Sequence, residues 1–589
     1  MKHIEVPVLI VGAGGAGLTA SMLFADLGIE SLTISSTAST SVLPKAHVIN
    51  QRSMEVYRKL GVAEDIYAHG TPPENMAATG WYAGLVGKDP IYGKEIARQE
   101  SWGAGYTDPD YIAASPCRQT NLPQIRLEPI LLKHALKKSP EGVLFNNELI
   151  SFEQDDDGVT STVLNKETGE TYTVRSAYLL GCDGGRTVGS ALGIEMQGQR
   201  NILYSVSVHF SADLSQHVSD PSVLIHWMWP AHTGLLTLLI PMGPEKWGPD
   251  SEEWVFHENY AADDKRIFDD EAMVADMKMA LGLPDLEPEV HKITRWSFEA
   301  LVAERFQENR AFLLGDAAHR HGPTGGLGLN TAIQDAYNIC WKIAAVLRGQ
   351  AAPELLATYE QERQPVAATN VRRSTENAMN HMAIGQALGV SPMQSEEENL
   401  AALKRNWSDD PADDEFRAKL RSAIAAQSME FREHNIEAGY RYESLAVVTD
   451  GSPGPQPVEE IRVYEPSTRP GSPLPHAWLE DHRGNRFALQ DLGDVGQYVL
   501  VAGEAGAGWV EAARSAAAEE GIDVLAFTVG HTEGDYLDPR CAWTRNRGHG
   551  PAGAVLIRPD KFVAWRADAA AEEAPGQLRQ VLRAIHQKH

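Results

Sequence analysis

Short apolar runs that end in glycine recur along the chain, and segments with the period of a helix follow them. The first run covers residues 6–11, and residues 18–27 then place apolar side chains at helical spacing up to Gly28. Residues 12–17 read Gly-Ala-Gly-Gly-Ala-Gly between the two. We therefore predict a strand, a tight turn and a helix, followed by a second strand over residues 31–35.

Gly12, Gly14 and Gly17 give this turn the GxGxxG spacing in the strand-to-helix setting that the motif needs. Glycine at these positions permits the tight turn and lets a pyrophosphate approach the helix N-terminus. An acidic residue usually ends the second strand and binds a ribose. Ser35 stands there instead, and its hydroxyl makes a weaker bond without charge assistance. The motif predicts an ADP-containing cofactor and leaves FAD and NAD both open.

Two more apolar strands end on an aspartate. Residues 177–181 lead into Cys182 and Asp183, and residues 311–314 lead into Gly315 and Asp316. A glycine-rich loop follows at residues 323–330, where a flat ring can lie against the backbone. Asn330 is predicted to cap the next helix, whose free amides and positive end would face an anion in the loop. These features describe a seat for a reduced, negatively charged flavin.

The middle of the chain has the pattern of a half-buried sheet. Residues 204–240 alternate apolar and polar positions, as antiparallel strands do. We expect this sheet to cover the flavin, with either His226 or Trp227 facing the substrate, because neighbours along a strand point to opposite faces. Residues 72–116, rich in aromatics, are read as an excursion toward the same region. Residues 243–290 are acidic and polar and are expected to face solvent.

A run rich in proline and glycine at residues 451–475 marks a boundary. The order β-α-β-β-β-α beyond it predicts a domain resembling thioredoxin. Gly503-Glu504-Ala505-Gly506 stands where the redox-active CxxC of such a domain would fall, so no thiol chemistry is expected there.

Composition limits the partners and the compartment. The formal charge of −28 over 589 residues argues against nucleic acid or an anionic membrane surface, since both need a basic footprint. No apolar run reaches the roughly 18 residues of a membrane helix, and the N-terminus has no signal-peptide layout. Four scattered cysteines form no CxxC pair, so we expect neither a metal site nor a disulfide framework. A soluble cytoplasmic protein is the simplest interpretation.

These segments, in this order, resemble the fingerprints of the class A FAD-dependent aromatic hydroxylases, in particular the phenol ortho-hydroxylase branch. The resemblance covers essentially the whole chain and favours FAD over NAD. It implies an α/β fold with a Rossmann-type FAD-binding domain (1–195 and 296–370) and an inserted β-sheet substrate region (75–115 and 196–295). A helical connector (371–450) and a thioredoxin-like domain lacking CxxC (451–589) would follow. The last domain is expected to serve packing in a homodimer.

The resemblance also implies roles for single residues. Asp316 would hold the ribityl chain, and the loop residues Gly326, Leu327 and Gly328 would lie against the isoalloxazine. His47 would stand near the phenolic oxygen and take its proton, for which imidazole has a suitable pKa. The remaining cofactor contacts are assigned to Lys45, Arg52, Gln124 and Asp183.

Two positions depart from the family pattern. Gly322 replaces the first proline of a common Pro-Pro pair, so a looser loop is expected. Gly189 stands where the family often has an arginine, which leaves the contacts to the nicotinamide nucleotide open.

The activity implied by the resemblance is the hydroxylation of a phenolic substrate. NADPH or NADH would reduce FAD, O2 would add at flavin C4a, and the hydroperoxide would transfer one oxygen ortho to the phenol hydroxyl. Two alternatives stay open: an FAD dehydrogenase or oxidase that inserts no oxygen, and a flavin sensor without catalysis. The sequence also leaves open which phenol is used, which nicotinamide nucleotide is preferred, and the oligomeric state.

Overall fold

The structure of the protein is a computed structural model that describes residues 2–262, 264, 269–454 and 459–588. In the first half of the chain the strands are β1 (His3–Val11), β2 (Ser31–Ile34), β3 (Val48–Ile49), β4 (Ala78–Tyr82), β5 (Glu95–Glu100), β6 (Thr120–Asn121), β7 (Val143–Leu144), β8 (Asn147–Gln154), β9 (Val159–Asn165), β10 (Thr171–Gly181), β11 (Met196–Gln199), β12 (Leu203–Ser211), β13 (Val223–Met228), β14 (Thr237–Gly243), β15 (Glu253–Ala261) and β16 (Glu289–Ser297). The later strands are β17 (Ala300–Ala303), β18 (Gln307–Glu308), β19 (Ala311–Leu313), β20 (His319–Arg320), β21 (Trp478–Glu480), β22 (Arg486–Ala488), β23 (Tyr498–Gly503), β24 (Val524–Gly530), β25 (Tyr536–Leu537), β26 (Ala554–Ile557) and β27 (Val563–Ala567).

The helices up to residue 404 are α1 (Gly15–Asp26), α2 (Gln51–Lys59), α3 (Ala63–His69), α4 (Trp102–Tyr106), α5 (Pro109–Ala114), α6 (Gln124–Lys138), α7 (Val188–Ala191), α8 (Asp270–Leu281), α9 (Leu327–Leu347), α10 (Thr358–Leu388) and α11 (Glu396–Lys404). They are followed by α12 (Asp414–Ala425), α13 (Ser428–Phe431), α14 (His434–Ala438), α15 (Ala507–Glu520), α16 (Ala542–Asn546) and α17 (Ala574–Ile585). Among the described helices, none combines the length and the apolar character needed to cross a bilayer.

The first sheet has the order β18-β19-β10-β1-β2-β7, with the β8–β9 hairpin attached to β10. Strands β19, β10, β1, β2 and β7 are parallel, whereas β18 and the hairpin are antiparallel to their neighbours. Its central strand β1 is covered on both faces, and Val8, Leu9 and Ile10 are fully buried, which explains the continuous apolar run in the sequence. Helices α1 and α9 pack against each other beside this sheet. The predicted strand, glycine turn and helix at the start of the chain are confirmed as β1 and α1.

The second sheet has the order β16-β12-β15-β14-β13-β4-β5 and is antiparallel except for the β13–β4 pair. Helix α8 covers one face, where Met277 and Leu281 join the same apolar cluster as Phe210 and Phe256. Strand β15 lies inside this sheet, and Trp254, Val255 and Phe256 on it are fully buried. The expectation that residues 243–290 face solvent is therefore wrong for β15, where Glu258 is also buried, at 1% exposed.

The C-terminal sheet has the order β22-β21-β25-β24-β23-β26-β27. Helices α15 and α17 pack against each other beside it, and their apolar cluster reaches Trp341 and Ala345 of α9. A buried ion network also joins this unit to the rest of the chain: Glu362 on α10 accepts bonds from Lys342 at 2.7 Å and from Arg558 at 2.5 Å. The C-terminal unit is thus docked directly onto the helix that starts at the glycine-rich loop.

Candidate active site

Three loops predicted to contact a cofactor leave the same edge of the first sheet. Strands β1, β10 and β19 run parallel, and Val11 is in register with Gly181, which is in register with Leu313. Because parallel strands present their carboxyl ends at one edge, the Gly12, Asp183 and Asp316 loops emerge side by side. The fold therefore brings together segments that are about 170 and 130 residues apart in the chain.

The first of these loops has room for no side chain at two of its glycines. A Cβ on Gly12, which has φ of +114°, would lie 2.1 Å from the carbonyl oxygen of Cys182. A Cβ on Gly17 would lie 1.9 Å from the carbonyl oxygen of Gly12. Gly14 precedes the first residue of α1 and has no side chain to cap it, so the helix N-terminus is open to an anionic ligand.

A buried carboxyl group lies beside this helix N-terminus. Glu128 on α6 is 3% exposed and accepts hydrogen bonds from the Ser41 amide at 2.6 Å and from Gln124 Nε2 at 2.5 Å. It also interacts with the backbone of Gly15. Burial raises the pKa of Glu128, which reduces its charge at the place where a pyrophosphate would bind. Gln124 thus lies near the N-terminus of α1, and its contact with the ribityl or pyrophosphate region of FAD stays a prediction. Ser35 is buried, and its hydroxyl lies 2.9 Å from that of Thr37.

The two aspartate loops are joined by an arginine. Arg320 donates to the carbonyl oxygen of Asp316 at 3.3 Å and to that of Gly184 at 3.2 Å. Asp316 itself is exposed. The carboxylate of Asp183 instead accepts backbone N–H bonds from Gly185, Thr187 and Val188 at 2.7–3.0 Å. The carboxylate of Asp183 therefore holds its own loop in shape, whereas Asp316 is free to meet a polyol.

The helix after the glycine-rich loop begins earlier than predicted. Helix α9 starts at Leu327, and Gly326 precedes it with φ of +63°, so Asn330 lies inside the first turn and is not the N-cap. A conformation that only glycine adopts freely ends the loop, and this sets the start of the helix. Leu327 is buried, and Gly328 packs beside His321, whose Nδ1 would be 3.5 Å from an added Cβ.

Asn330 has a different role, which is to join the loop to the segment that carries His47. Its Nδ2 donates to the carbonyl oxygens of Gly326 at 2.7 Å and Val48 at 3.0 Å, and its Oδ1 accepts from the Asn50 amide at 2.9 Å. An amide side chain is suited to this position because it donates and accepts at once. His47 is thereby held next to the glycine-rich loop.

Gly322 does not make the loop looser, contrary to the expectation from the sequence. A Cβ on Gly322 would lie 2.2 Å from the ring of Phe298, which is 3% exposed. The phenylalanine ring therefore occupies the space that a proline would need. The loop is also held by the amide of Gly322, which donates to Ser374 Oγ at 3.3 Å.

His47 is oriented by a short chain of polar groups. Its Nδ1 lies 2.6 Å from Asn121 Oδ1, and Asn121 Nδ2 donates to Thr71 Oγ1 at 2.6 Å. With the amide oxygen of Asn121 facing His47 and its Nδ2 facing Thr71, Nδ1 of His47 carries the hydrogen and Nε2 keeps its lone pair. Burial lowers the pKa of His47, and the bond to Asn121 offsets this in part. The arrangement makes His47 a base at neutral pH.

The strand register of the second sheet decides between His226 and Trp227 as the residue on the predicted substrate face. His257, Leu238, Trp227 and Trp81 are direct neighbours on successive strands, so they share one face. Trp227 packs there against His381, with ring centroids 3.8 Å apart. His226 points to the opposite face, where it stacks on Tyr82 at 5.4 Å. The prediction of a substrate contact is thus wrong for His226 and is kept for Trp227.

Sequence reasoning missed a second histidine on this face. His257 on β15 lies 2.7 Å from Ser207 Oγ, which also accepts from Trp296 Nε1 at 2.9 Å. Burial, and to a smaller extent the positive charge of His47, lower the pKa of His257 to about 4. The two imidazoles are therefore within electrostatic reach of each other. The apolar run at residues 254–256, directly before His257, was the available signal for a buried strand, and the acidic composition of the segment concealed it.

The two basic residues assigned to the cofactor lie in different surroundings. Lys45 is exposed, and its charge lowers the pKa of Glu128, which places it near the N-terminus of α1. Arg52 is buried and donates to Glu55 at 2.7 Å and to the carbonyl oxygen of Ala438 at 3.2 Å. The guanidinium of Arg52 therefore holds α2 against α14, which corrects its assignment as a cofactor contact.

One group of side chains in the described residues has the composition of a metal site. Ligand atoms of His209, Glu253 and His291 lie within 4.8 Å of one another. Oε2 of Glu253, however, already faces His209 Nε2 and the Arg126 guanidinium, both at 2.7 Å. A divalent ion would have to displace a permanent cation, so we interpret the group as an ion-paired cluster.

Comparison with known proteins agrees with this geometry. The profile of a family described as "FAD binding domain" matches residues 5–374, and that of "Aromatic-ring hydroxylase, C-terminal" matches residues 467–588. The chain belongs to the FAD-dependent aromatic-ring hydroxylases. The C-terminal unit of this hydroxylase is thus a regular part of the family, and FAD is its cofactor.

Similarity to single proteins extends over the full length of this hydroxylase. It is 36% identical to 2,4-dichlorophenol 6-monooxygenase from Delftia acidovorans, over 100% of this chain and 99% of the relative. It is 35% identical to phenol 2-monooxygenase from a Pseudomonas species, over 98% and 92%. The crystal structure of the flavin-dependent monooxygenase PieE with FAD and substrate has a TM-score of 0.92 and 36% identity, with both chains fully covered.

The residues present fit the cofactor of this family. The Gly12 loop leaves a space next to an open helix N-terminus that suits a pyrophosphate, and Asp316 exposes a carboxylate next to it. Gly326 ends a glycine-rich loop, whose backbone a flat ring can approach closely. The loop lies at the positive end of a 21-residue helix. The pyrophosphate, the ribityl chain and the flavin ring of FAD therefore each have a matching surface.

Proposed function

We propose that this hydroxylase transfers one oxygen atom from O2 to a phenolic ring, ortho to the hydroxyl group, with NADH or NADPH as reductant. The observation that carries the proposal is the state of His47, a base whose Nε2 is free while Nδ1 is bound to Asn121, beside the glycine-rich loop. Relatives named for the hydroxylation of dichlorophenol and phenol support it.

FAD, when bound, supplies the redox chemistry by accepting a hydride from NAD(P)H and activating O2. The side chains and backbone that would hold it are those of Gly12, Gly14, Gly17, Ser35, Lys45, Gln124, Asp183, Asp316, Gly326, Leu327, Gly328 and Asn330. For Asp183 we expect a contribution through the loop that its carboxylate shapes, and for Asn330 through the two segments that it joins.

The proton step belongs to His47. A phenol whose O–H lies within reach of His47 Nε2 transfers its proton to the imidazole. The oxygen then donates more electron density to the ring, and the ortho carbon becomes a better nucleophile. The lowered pKa of His47 keeps the imidazole neutral, and therefore ready to accept this proton, at pH 7.

The sheet face opposite His47 supports the choice of an aromatic substrate. Leu238 is half-buried on this face, and Trp227 beside it is 4% exposed under the ring of His381. An aromatic ring packed there displaces water from the site where oxygen is transferred. His257 adds a polar group at the edge of the same surface.

The C-terminal unit is proposed to be thioredoxin-like and to serve packing between subunits of a homodimer. Four of its strands follow the order β24-β23-β26-β27, with β26 antiparallel to its neighbours. The absence of a CxxC in the sequence at the end of β23 excludes a dithiol reaction at that position. Light scattering of the purified protein would test the dimer.

Isotope labelling tests the reaction. The purified protein is incubated with NADH or NADPH and a panel of single-ring and polycyclic phenols under labelled O2, and with labelled water under ordinary O2 as control. We expect phenol-stimulated oxidation of the nicotinamide and one labelled oxygen in an ortho hydroxyl group. Product without the label would reject oxygen insertion and favour a dehydrogenase or oxidase. No stimulation by any phenol would favour a flavin sensor.

A further inference from the structure

A chain of buried contacts runs from the substrate face to the glycine-rich loop. Trp227 stacks on His381 of α10, with centroids 3.8 Å apart and planes 18° from parallel. His381 Nε2 lies 2.8 Å from Glu430 Oε2. The other oxygen of Glu430 accepts the backbone N–H of Gly325 at 2.9 Å. Three contacts thus connect an aromatic side chain of the sheet with the backbone of the loop.

Each member of this chain is closely held by its surroundings. Trp227 Nε1 donates to Thr79 Oγ1 at 2.8 Å, which fixes the indole in its plane. His381 is 1% exposed and Glu430 6%. Phe431 meets both rings from the side, at 6.0 Å from His381 and 6.4 Å from Trp227. Since the rings of Trp227 and His381 are in direct contact, a displacement of Trp227 is passed on to His381.

At the other end of this series of contacts, the glycine-rich loop is also held closely by neighbouring residues. Thr324 Oγ1 donates to the carbonyl oxygen of Ser374 at 2.5 Å. A Cβ on Gly325, which has φ of +83°, would lie 2.4 Å from Glu433 Oε1. That oxygen has no hydrogen-bond partner among the described residues, although Glu433 is 2% exposed. A buried carboxyl oxygen without a hydrogen-bond partner is unusual, and Oε1 of Glu433 is directed at the loop at Gly325.

We propose that His381 and Glu430 are positioning residues that couple the seating of a phenol against Trp227 to the position of the glycine-rich loop, and so to the binding of FAD. The inference rests on the proposed function only in taking an aromatic ring as the occupant of the Trp227 face. Coupling between two sites is reciprocal, so a phenol that tightens FAD must itself be bound more tightly when FAD is present.

The coupling is measured on the oxidised holoenzyme without NAD(P)H, so that no turnover is needed. Holoenzyme is diluted in steps with and without a saturating phenol, with 2,4-dichlorophenol as the first probe and the labelling panel after it. Free FAD is read by fluorescence, and the flavin absorbance change on phenol addition is recorded. The ratio of the two FAD dissociation constants is the coupling factor, for which we expect about 5 or more in the wild type.

His381→Phe breaks only the middle contact. It keeps a ring on Trp227 and leaves the bond between Glu430 and the Gly325 amide in place. We expect the coupling factor to fall to within about twofold of 1 and the phenol-induced absorbance change to shrink. His434→Phe is the matched control, because His434 also stacks on an aromatic ring at 3.8 Å, that of Tyr111, and makes one Nε2 contact, to Gln51.

Glu430→Gln provides a second variant if His381→Phe does not fold. Its amide oxygen can still accept the Gly325 N–H, while its charge toward His381 is lost, so a reduced coupling factor is again expected. A coupling factor of 1 in the wild type, or an unchanged factor in both variants, would overturn the proposal. An equal loss in His434→Phe would do the same. Unlabelled product in the isotope experiment would reject the proposed function without affecting this result.

Discussion

The bond between His47 and Asn121 allows the pH dependence of catalysis to be shifted in both directions. Asn121→Asp puts a carboxylate where an amide oxygen lies 2.6 Å from His47 Nδ1. Asn121→Leu removes the acceptor with little change in size. Because only neutral His47 accepts a proton, its pKa should appear as the acid limb of the kcat/KM profile.

The structure sets the size of each shift. Charge centres about 4 Å apart interact by about 4 kcal/mol at an effective dielectric constant near 20, which corresponds to a rise of roughly 3 pKa units in Asn121→Asp. A neutral hydrogen bond contributes about 0.5–1.5 kcal/mol, so Asn121→Leu should lower the limb by about one unit or less. Without the Asn121 acceptor, His47 is also no longer held in the tautomer that carries its hydrogen on Nδ1, and kcat/KM should fall by about 2–10-fold.

The assay is labelled-product formation as a function of pH, with unsubstituted phenol as substrate. The ionisation of such a phenol lies near that of tyrosine, about 10, and does not overlap the acid limb. FAD content is measured for each variant, since His47 and Asn121 are not assigned to its binding. An acid limb that stays in place in both variants, or that moves the same way in both, would refute the role of His47 as the base.

Three further changes probe the base, the cofactor loop and Glu437, a buried residue of α14. His47→Ala should keep FAD bound and lower kcat/KM by about 10²–10⁴-fold; unchanged turnover would contradict the assignment. Gly12→Ala should abolish FAD binding, read by absorbance, because its Cβ meets a backbone oxygen at 2.1 Å, whereas Gly28→Ala, which meets no atom within 4 Å, should retain it. Burial raises the pKa of Glu437 from 4.5 to about 8, so its contribution to stability is complete below about pH 4.5 and is lost as the pH rises through 8. Glu437→Gln should remove this loss, of at most about 5 kcal/mol, in denaturant titrations from pH 5 to 9; parallel wild-type and variant curves would show that Glu437 does not titrate in this way.

The sequence determined the local chemistry of the cofactor loops. Gly12 and Gly17 have no room for a side chain, and the turn that they define lies within six residues, so their spacing can be read from the chain itself. The same holds for the apolar runs that became β1, β10 and β19, since a parallel strand covered on both faces has to be apolar throughout. The elements of the C-terminal unit were likewise marked by their periodicity.

Only the tertiary structure decided what the side chains meet across the fold. The pattern around residue 226 predicted a strand. Only the pairing with the partner strands determined that Trp227, and not His226, lies on the same face of the sheet as His257. Asn330 is a residue type that often caps helices, yet the helix begins earlier, after Gly326 with its positive φ. The side-chain amide of Asn330 is therefore available to join the glycine-rich loop to the segment at Val48. No local signal marked Glu430, because its partners are His381 and Gly325, about 50 and 105 residues away. Contacts of this kind are set by which strands and helices become neighbours, and that choice is made by the whole chain's burial of apolar surface and not by any one segment.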